Sequence, residues 1–232
     1  MKKTLLTIGT LALGSYAHAA ISFTGSTLTQ DFTGYDGSAG PVGWDASGLS
    51  SGAGFSENRG SSTGGVTTGG TYAFDTGSGN IALGVQPGGS DFTAGYYELQ
   101  VTNDSGATVT DWDVAFESLV YNDQGRANSF DFSYSTDGTS YTSVAGGSFT
   151  SVEVADGSPA WTTGASYSDT ISASVASGGS LYLRWTGNDV SGGGSRDEFA
   201  LDDVSVGESI PEPSSTALLG LGGLALILRR RK

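Results

Sequence analysis

From residue 128 the chain reads NSFDFSYSTDG, with Phe130, Phe132 and Tyr134 alternating with Asp131 and Ser133. Successive strand side chains point to opposite faces, so this is a strand with one apolar face, and Asp137-Gly138 after it is a strong hairpin signal. The same signature, short β-branched and aromatic runs between turn residues, recurs at 28–34, 71–75, 80–85, 95–103, 109–122, 139–144, 147–154, 168–175, 180–188 and 199–207. No stretch before residue 214 has helical periodicity of useful length. Ten or eleven short strands predict an all-β fold, one antiparallel β-sandwich of jelly-roll-like form. Alternation also assigns faces: Trp112, Val114, Phe116, Ser118 and Val120 inward on one strand, and Leu181, Leu183 and Trp185 opposite Tyr182 and Arg184 on another. The stretch 37–65 has few strand signals and reads as a functional loop or an irregular edge.

Both ends differ from this pattern. Residues 1–19 carry Lys2 and Lys3, an apolar stretch from Leu5, and small residues at Ala17 and Ala19, which reads as a secretory signal peptide and predicts export. The expected organisation is a signal peptide at 1–19, a β-sandwich domain at 20–209 and a sorting or membrane-anchor segment with a short hydrophobic helix at 210–232.

Composition narrows the chemistry of the middle. Its basic residues are Arg59, Arg126, Arg184 and Arg196 against 23 acids, a net charge of −19, which disfavours nucleic acid and attracts cations. Its lack of His, Cys and Lys removes the Ser-His-Asp and Cys-His nucleophiles, ordinary zinc sites and Schiff-base lysines. We therefore expect no enzyme activity; a carboxylate pair such as Asp113 and Glu117 is unavoidable among so many acids. Oxygen-only ligand sets suit calcium. Asp189, Asp197, Asp202 and Asp203 fall around a Gly-rich loop and are candidate calcium ligands, the other reading being a solvated acidic edge. Adjacent strand residues point apart, so only one of Asp202 and Asp203 can join such a site. Trp112 and Trp185 lie on apolar faces and belong to the core. Trp44 and Trp161 sit in Gly/Pro-rich contexts and are the candidate surface platforms for a sugar.

The segments DFTGYDG (31–37), RGSSTGGVTTGGTYAFD (59–75), DFSYSTDGTSYTSV (131–144), LYLRWTGNDVSG (181–192) and FALDDVSVG (199–207) together resemble a β-sandwich domain of exported bacterial proteins. Two departures stand out: a longer spacer before Tyr72, and Gly187-Asn188-Asp189 where that domain carries an Asp-x-Asp. The resemblance implies a jelly-roll-like sandwich and no single activity.

The chain closes on Pro211-Glu212-Pro213, an apolar run to Leu228, and Arg229, Arg230, Arg231 and Lys232. Fifteen residues from Ser214 span about 22 Å as a helix, short of a hydrocarbon core of about 30 Å. The terminal cations would stay cytoplasmic and act as a membrane stop. This tail resembles the PEP-CTERM sorting signal of Gram-negative bacteria. The resemblance implies recognition of Pro211, Glu212 and Pro213 by an exosortase, a membrane enzyme that cuts near them, with Leu218–Leu228 as a transient membrane segment. It also implies delivery through the secretion machinery to the cell surface or to extracellular polysaccharide.

Overall fold

The computed structural model describes residues 19–210. The expected signal peptide, the Pro-Glu-Pro motif, the apolar run and its basic cap lie outside the described residues. Two seven-stranded sheets face each other. The first contains β1 (Ile21–Phe23), β3 (Trp44–Ser47), β7 (Tyr96–Asn103), β9 (Arg126–Ser135), β10 (Thr142–Ser143), β11 (Phe149–Thr150) and β13 (Ser180–Gly192). The second contains β2 (Leu28–Gln30), β4 (Asn58–Ser62), β5 (Gly70–Asp75), β6 (Ile81–Gln86), β8 (Val109–Tyr121), β12 (Trp161–Val175) and β14 (Glu198–Glu208). The first runs β1-β7-β13-β9-β10 and the second β12-β8-β14-β6-β5-β4. From β7 onward the chain passes repeatedly between sheets, and this crossing makes the sandwich jelly-roll-like. Pairing is antiparallel except at two edges, where β1 joins β7 and β4 joins β5 in parallel.

The alternation read from sequence places the core correctly. Trp112, Val114, Phe116, Ser118 and Val120 are all buried, as are Phe130, Phe132, Leu181, Leu183 and Trp185. Tyr134, half-buried at the margin, donates its hydroxyl to Ser172 O. Rings from both sheets interlock at the centre: Phe116 of β8 meets Trp185 of β13 edge-on with centroids 5.1 Å apart, and Phe132 of β9 stacks on Trp185 at the same separation. Aromatic pairs in such geometries add stabilisation beyond the area they bury. A polar tie also crosses the core, from the Tyr97 hydroxyl on β7 to Gly84 O on β6 at 2.6 Å.

Two local expectations change. The stretch 37–65 contains two strands, β3 and β4, so it is an irregular edge in part and not a single loop. Strand β12 begins at Trp161, seven residues before the pattern shows it, because its first half is mostly exposed and has no apolar face to alternate. Among the described residues no helix is long and apolar enough to cross a membrane.

Candidate functional site

The four acids proposed for calcium are not gathered. Asp189, on β13, accepts from the Nε of Arg126 at 2.6 Å and from a second guanidinium nitrogen of the same residue, and Arg196 lies 3.3 Å away. The Arg126 hydrogen bond first, and the Arg196 charge, hold its carboxyl below the usual range. Asp202 and Asp203 sit on β14, in the other sheet. Asp202 is buried and accepts from Asn80 Nδ2 and from the Asp203 amide, whereas Asp203 is exposed at φ 49° within a β-bulge. The opposed directions expected of that pair hold. Asp197 is fully buried and accepts from the Gln124 amide at 3.1 Å. Among the described residues no group of three or more His, Cys, Asp or Glu side chains is placed to hold a metal ion. Two of the middle's four arginines are spent on Asp189, which sequence spacing does not reveal.

Of the two candidate sugar platforms, Trp44 is fully buried, packed between Phe32 and Trp185, and cannot serve. A four-residue strand carries it inward from its Gly-rich surroundings. Trp161 is half-buried. It packs on Phe74 and Tyr121, and its indole N–H donates to Thr63 O at 2.9 Å. Gly64 lies against both the Tyr121 and Trp161 rings, so the 63–66 loop closes over this small cluster.

The rest of the second sheet's outer face is hydrophilic. Ser172 donates to Asp111 at 2.7 Å, Thr170 to Asp113 at 2.5 Å, and Thr163 to Glu117. Each of these three β12 hydroxyls thus occupies a carboxylate of β8. Asp113 and Glu117 are committed to this ladder and lie on an exposed strand face. An open groove of about 420 Å³ runs beside them, lined by residues such as Thr27, Ser168, Asp169, Ser205 and Glu208, with no aromatic ring.

The first sheet's outer face differs. Tyr96, Glu98 and Gln100 alternate outward on β7, and Tyr182, Arg184 and Thr186 do so on β13. Register sets Glu98 opposite Arg184 and Tyr96 opposite Thr186. The Arg184 guanidinium lies 3.8 Å from the Tyr96 ring centroid and 3.7 Å from that of Tyr141, so two aromatic faces clasp it. Such cation–π contacts strengthen when the cation is partly desolvated. Glu98 accepts from the Nε of Arg184 at 2.8 Å and from its Nη2 at 2.7 Å, and Tyr141 donates its hydroxyl to the same carboxylate. Burial first, then that carboxylate, push the Tyr141 phenol far above its ordinary range. Gln100 donates to Ser180 and Tyr182, and Asn188 to Asp131. The period-2 pattern put Tyr182 and Arg184 outward, but nothing local in the sequence brings Tyr96 and Tyr141 to Arg184.

The described residues therefore define a two-sheet, jelly-roll-like β-sandwich with one aromatic–polar face. Residues 209–232 match the PEP-CTERM protein-sorting motif, so the chain carries a C-terminal sorting signal, the mark of an exported, sorted protein. No curated protein matches the chain by sequence. Among solved structures it is similar to the K3 cleaved adhesin domain of Lys-gingipain from Porphyromonas gingivalis, at 14% identity over 78% of this chain and 98% of that one, TM-score 0.42. It is also similar to the CBM22-1 xylan-binding domain of Xyn10C from Paenibacillus barcinonensis, at 13% identity over 83% and 97%, TM-score 0.39. At this distance neither carries a site over to this chain.

Proposed function

We propose that this is a non-enzymatic exported protein whose sandwich is the cargo of its own C-terminal signal. The matched sorting motif carries the reading. An exosortase would recognise Pro211-Glu212-Pro213 while the apolar run is held in the membrane by Arg229, Arg230, Arg231 and Lys232. Cutting there would free the domain for the cell surface or the extracellular matrix. A run of about 22 Å suits a segment that is held briefly and then removed better than a permanent anchor. The sandwich, rich in acid and with no His, Cys or Lys, suits a surface module and lacks imidazole, thiol and amine catalytic groups. Replacing Pro211, Glu212 and Pro213 together by alanine should leave the protein in the membrane fraction with its tail intact. Normal release of that variant would refute recognition of the motif.

A second reading is that the exported sandwich binds polysaccharide. The observation that favours it is the first sheet's outer face, where aromatic rings lie among side chains that hydrogen-bond, the mixture a sugar's apolar faces and hydroxyl rim require. Retention of the purified protein by immobilised polysaccharide tests it.

A further inference from the structure

We infer that the outer face of the first sheet, centred on Tyr96, Arg184 and Tyr141, is the glycan-binding surface of this protein and takes an uncharged polysaccharide chain. The inference rests on the second reading above and specifies its site and ligand class. Three observations lead here and away from the rest of the surface.

The first concerns where aromatic surface is available. Trp44 is in the core, and Trp161 is pinned by Thr63 and capped by the Gly64 backbone. The 420 Å³ groove on the second sheet is lined by carboxylates and hydroxyls but no ring, and Asp113 in it is already taken by the Thr170 hydroxyl. Among the described residues, half-exposed rings gather on the first sheet's outer face, with Tyr96 on β7, Tyr182 on β13 and Tyr141 of the 136–141 loop around Arg184.

The second is rigidity. The two rings are held by one guanidinium between them, and that guanidinium is held by Glu98 through two nitrogens. Tyr141 is further fixed by its hydroxyl on Glu98. Rings immobilised before binding lose little entropy when a ligand stacks on them. Around them, Gln100, Thr186, Ser133 and Asn188 occupy neighbouring register positions on strands about 4.8 Å apart, and the donations of Gln100 to Ser180 and Tyr182 and of Asn188 to Asp131 hold these polar groups in place beside the rings.

The third is charge. Among the described residues Arg184 is the cation that β7 and β13 present on this face, and its side chain and that of Glu98 are 19% and 13% exposed. Their contact neutralises it, so no unpaired positive charge remains to receive a uronate, sulfate or phosphate. The net charge of −19 over the middle of the chain repels such polymers further. An uncharged chain of hexoses or pentoses meets neither obstacle.

The experiment uses the full-length chain in mild detergent, run in native gels containing either a neutral polysaccharide (a β-glucan, a xylan or a galactan) or an anionic one (alginate or polygalacturonate). Wild type should be retarded by at least one neutral polymer and by neither anionic one. Tyr96→Ala should weaken that binding at least about tenfold, the loss expected for a central aromatic contact. Tyr141→Phe keeps the ring and should bind nearly as wild type, whereas Tyr141→Ala should bind weakly. Thr170→Ala, in the groove of the second sheet, should bind as wild type. Melting temperatures check that the Tyr96 and Tyr141 variants remain folded. If Tyr96→Ala folds poorly, Thr186→Trp, which fills the face beside Tyr96 without removing a ring, serves instead and should also impair retardation. Neutral-polymer binding that survives Tyr96→Ala and Tyr141→Ala, or is lost in Thr170→Ala alone, overturns the site while the polysaccharide reading stands. Preference for the anionic polymers overturns the ligand class. Wild type that no polymer retards overturns the reading itself.

Discussion

Trp44 stacks on Trp185 with ring centroids 5.4 Å apart and planes inclined by 28°, at the centre of the hydrophobic core. Both rings are fully buried, and among the described residues neither indole N–H has a hydrogen-bond partner, so packing holds the pair. Trp44→Ala should therefore destabilise the fold by about 3–5 kcal/mol, the usual loss for a buried tryptophan. Chemical denaturation measures it through the shift in midpoint. A variant of native stability that had lost a ligand would instead return Trp44 to the surface role its sequence context suggests.

The position of Trp44 also shows where sequence reading stops. Long strands such as β8, β9 and β13 carry enough alternating residues for their faces to be read directly, and Phe116, Phe132 and Trp185 are buried as the pattern requires. Strand β3 has four residues within a Gly-rich stretch, too few to show a period. The glycine before it has a packing reason: Gly43 has φ +85°, and a Cβ there would lie 2.2 Å from Ile21. The candidate face was half legible. Tyr182 and Arg184 followed from alternation, but Tyr96 and Tyr141 reach Arg184 only through cross-strand register and a hairpin, which local pattern does not encode. The acidic loop misled for a related reason. Spacing brought Asp189 towards the other acids on paper, whereas Arg126 and Arg196 claim it in space.

Gly187 stands where the resembling domains carry an aspartate, and its surroundings explain the departure. A Cβ there would lie 2.6 Å from Phe92 Cδ1 and 2.9 Å from Phe92 O. Phe92 is buried and already at φ 55°, so neither its ring nor its backbone has room to retreat. Gly187→Ala should cost about 1–3 kcal/mol by overpacking. Gly157→Ala, with nothing within 4 Å of its Cβ, provides the control and should melt near wild type.

The hairpin expected at Asp137-Gly138 is held by one Asp137 carboxylate oxygen together with the Ser135 hydroxyl, which accepts from the Asp137 and Gly138 amides. Asp137 Oδ1 accepts from the Thr139 amide at 2.8 Å, the Ser140 amide at 2.7 Å and the Ser135 hydroxyl at 2.8 Å, and Gly138 has φ +69°. These bonds, the Ser140 amide first, hold the carboxyl far below its ordinary range. A lowered carboxylate contributes stability that is present above its unfolded pKa and lost as the solution is acidified. Asp137→Ala should lower the melting temperature at neutral pH and lower it by less in acid. Melting curves at both pH values test this, and an equal loss in acid would contradict it.

Glu198 should act in the opposite direction. It is buried at the start of β14, accepts from the Val66 amide at 2.6 Å, and lies close to Asp123. Burial first, then the Asp123 charge, push its carboxyl up to about 8 from an ordinary 4.5. Between those values the native state keeps a proton that the unfolded chain has released, so stability falls as pH rises through that window. Asp197 and Asp202, raised by burial, contribute the same sign. Glu198→Gln keeps an acceptor for Val66 and removes the titration. Its melting temperature should match wild type near pH 4.5 and exceed it at pH 8, with a shallower slope between; an unchanged slope would refute this role.

Whether the C-terminal segment is an address removed after use is read from the intact mass of the protein recovered from the cells that make it. The expected mature chain ends near Pro213 and lacks the apolar run and the Arg229–Lys232 cap. A mature protein that retains residues 214–232 would contradict it.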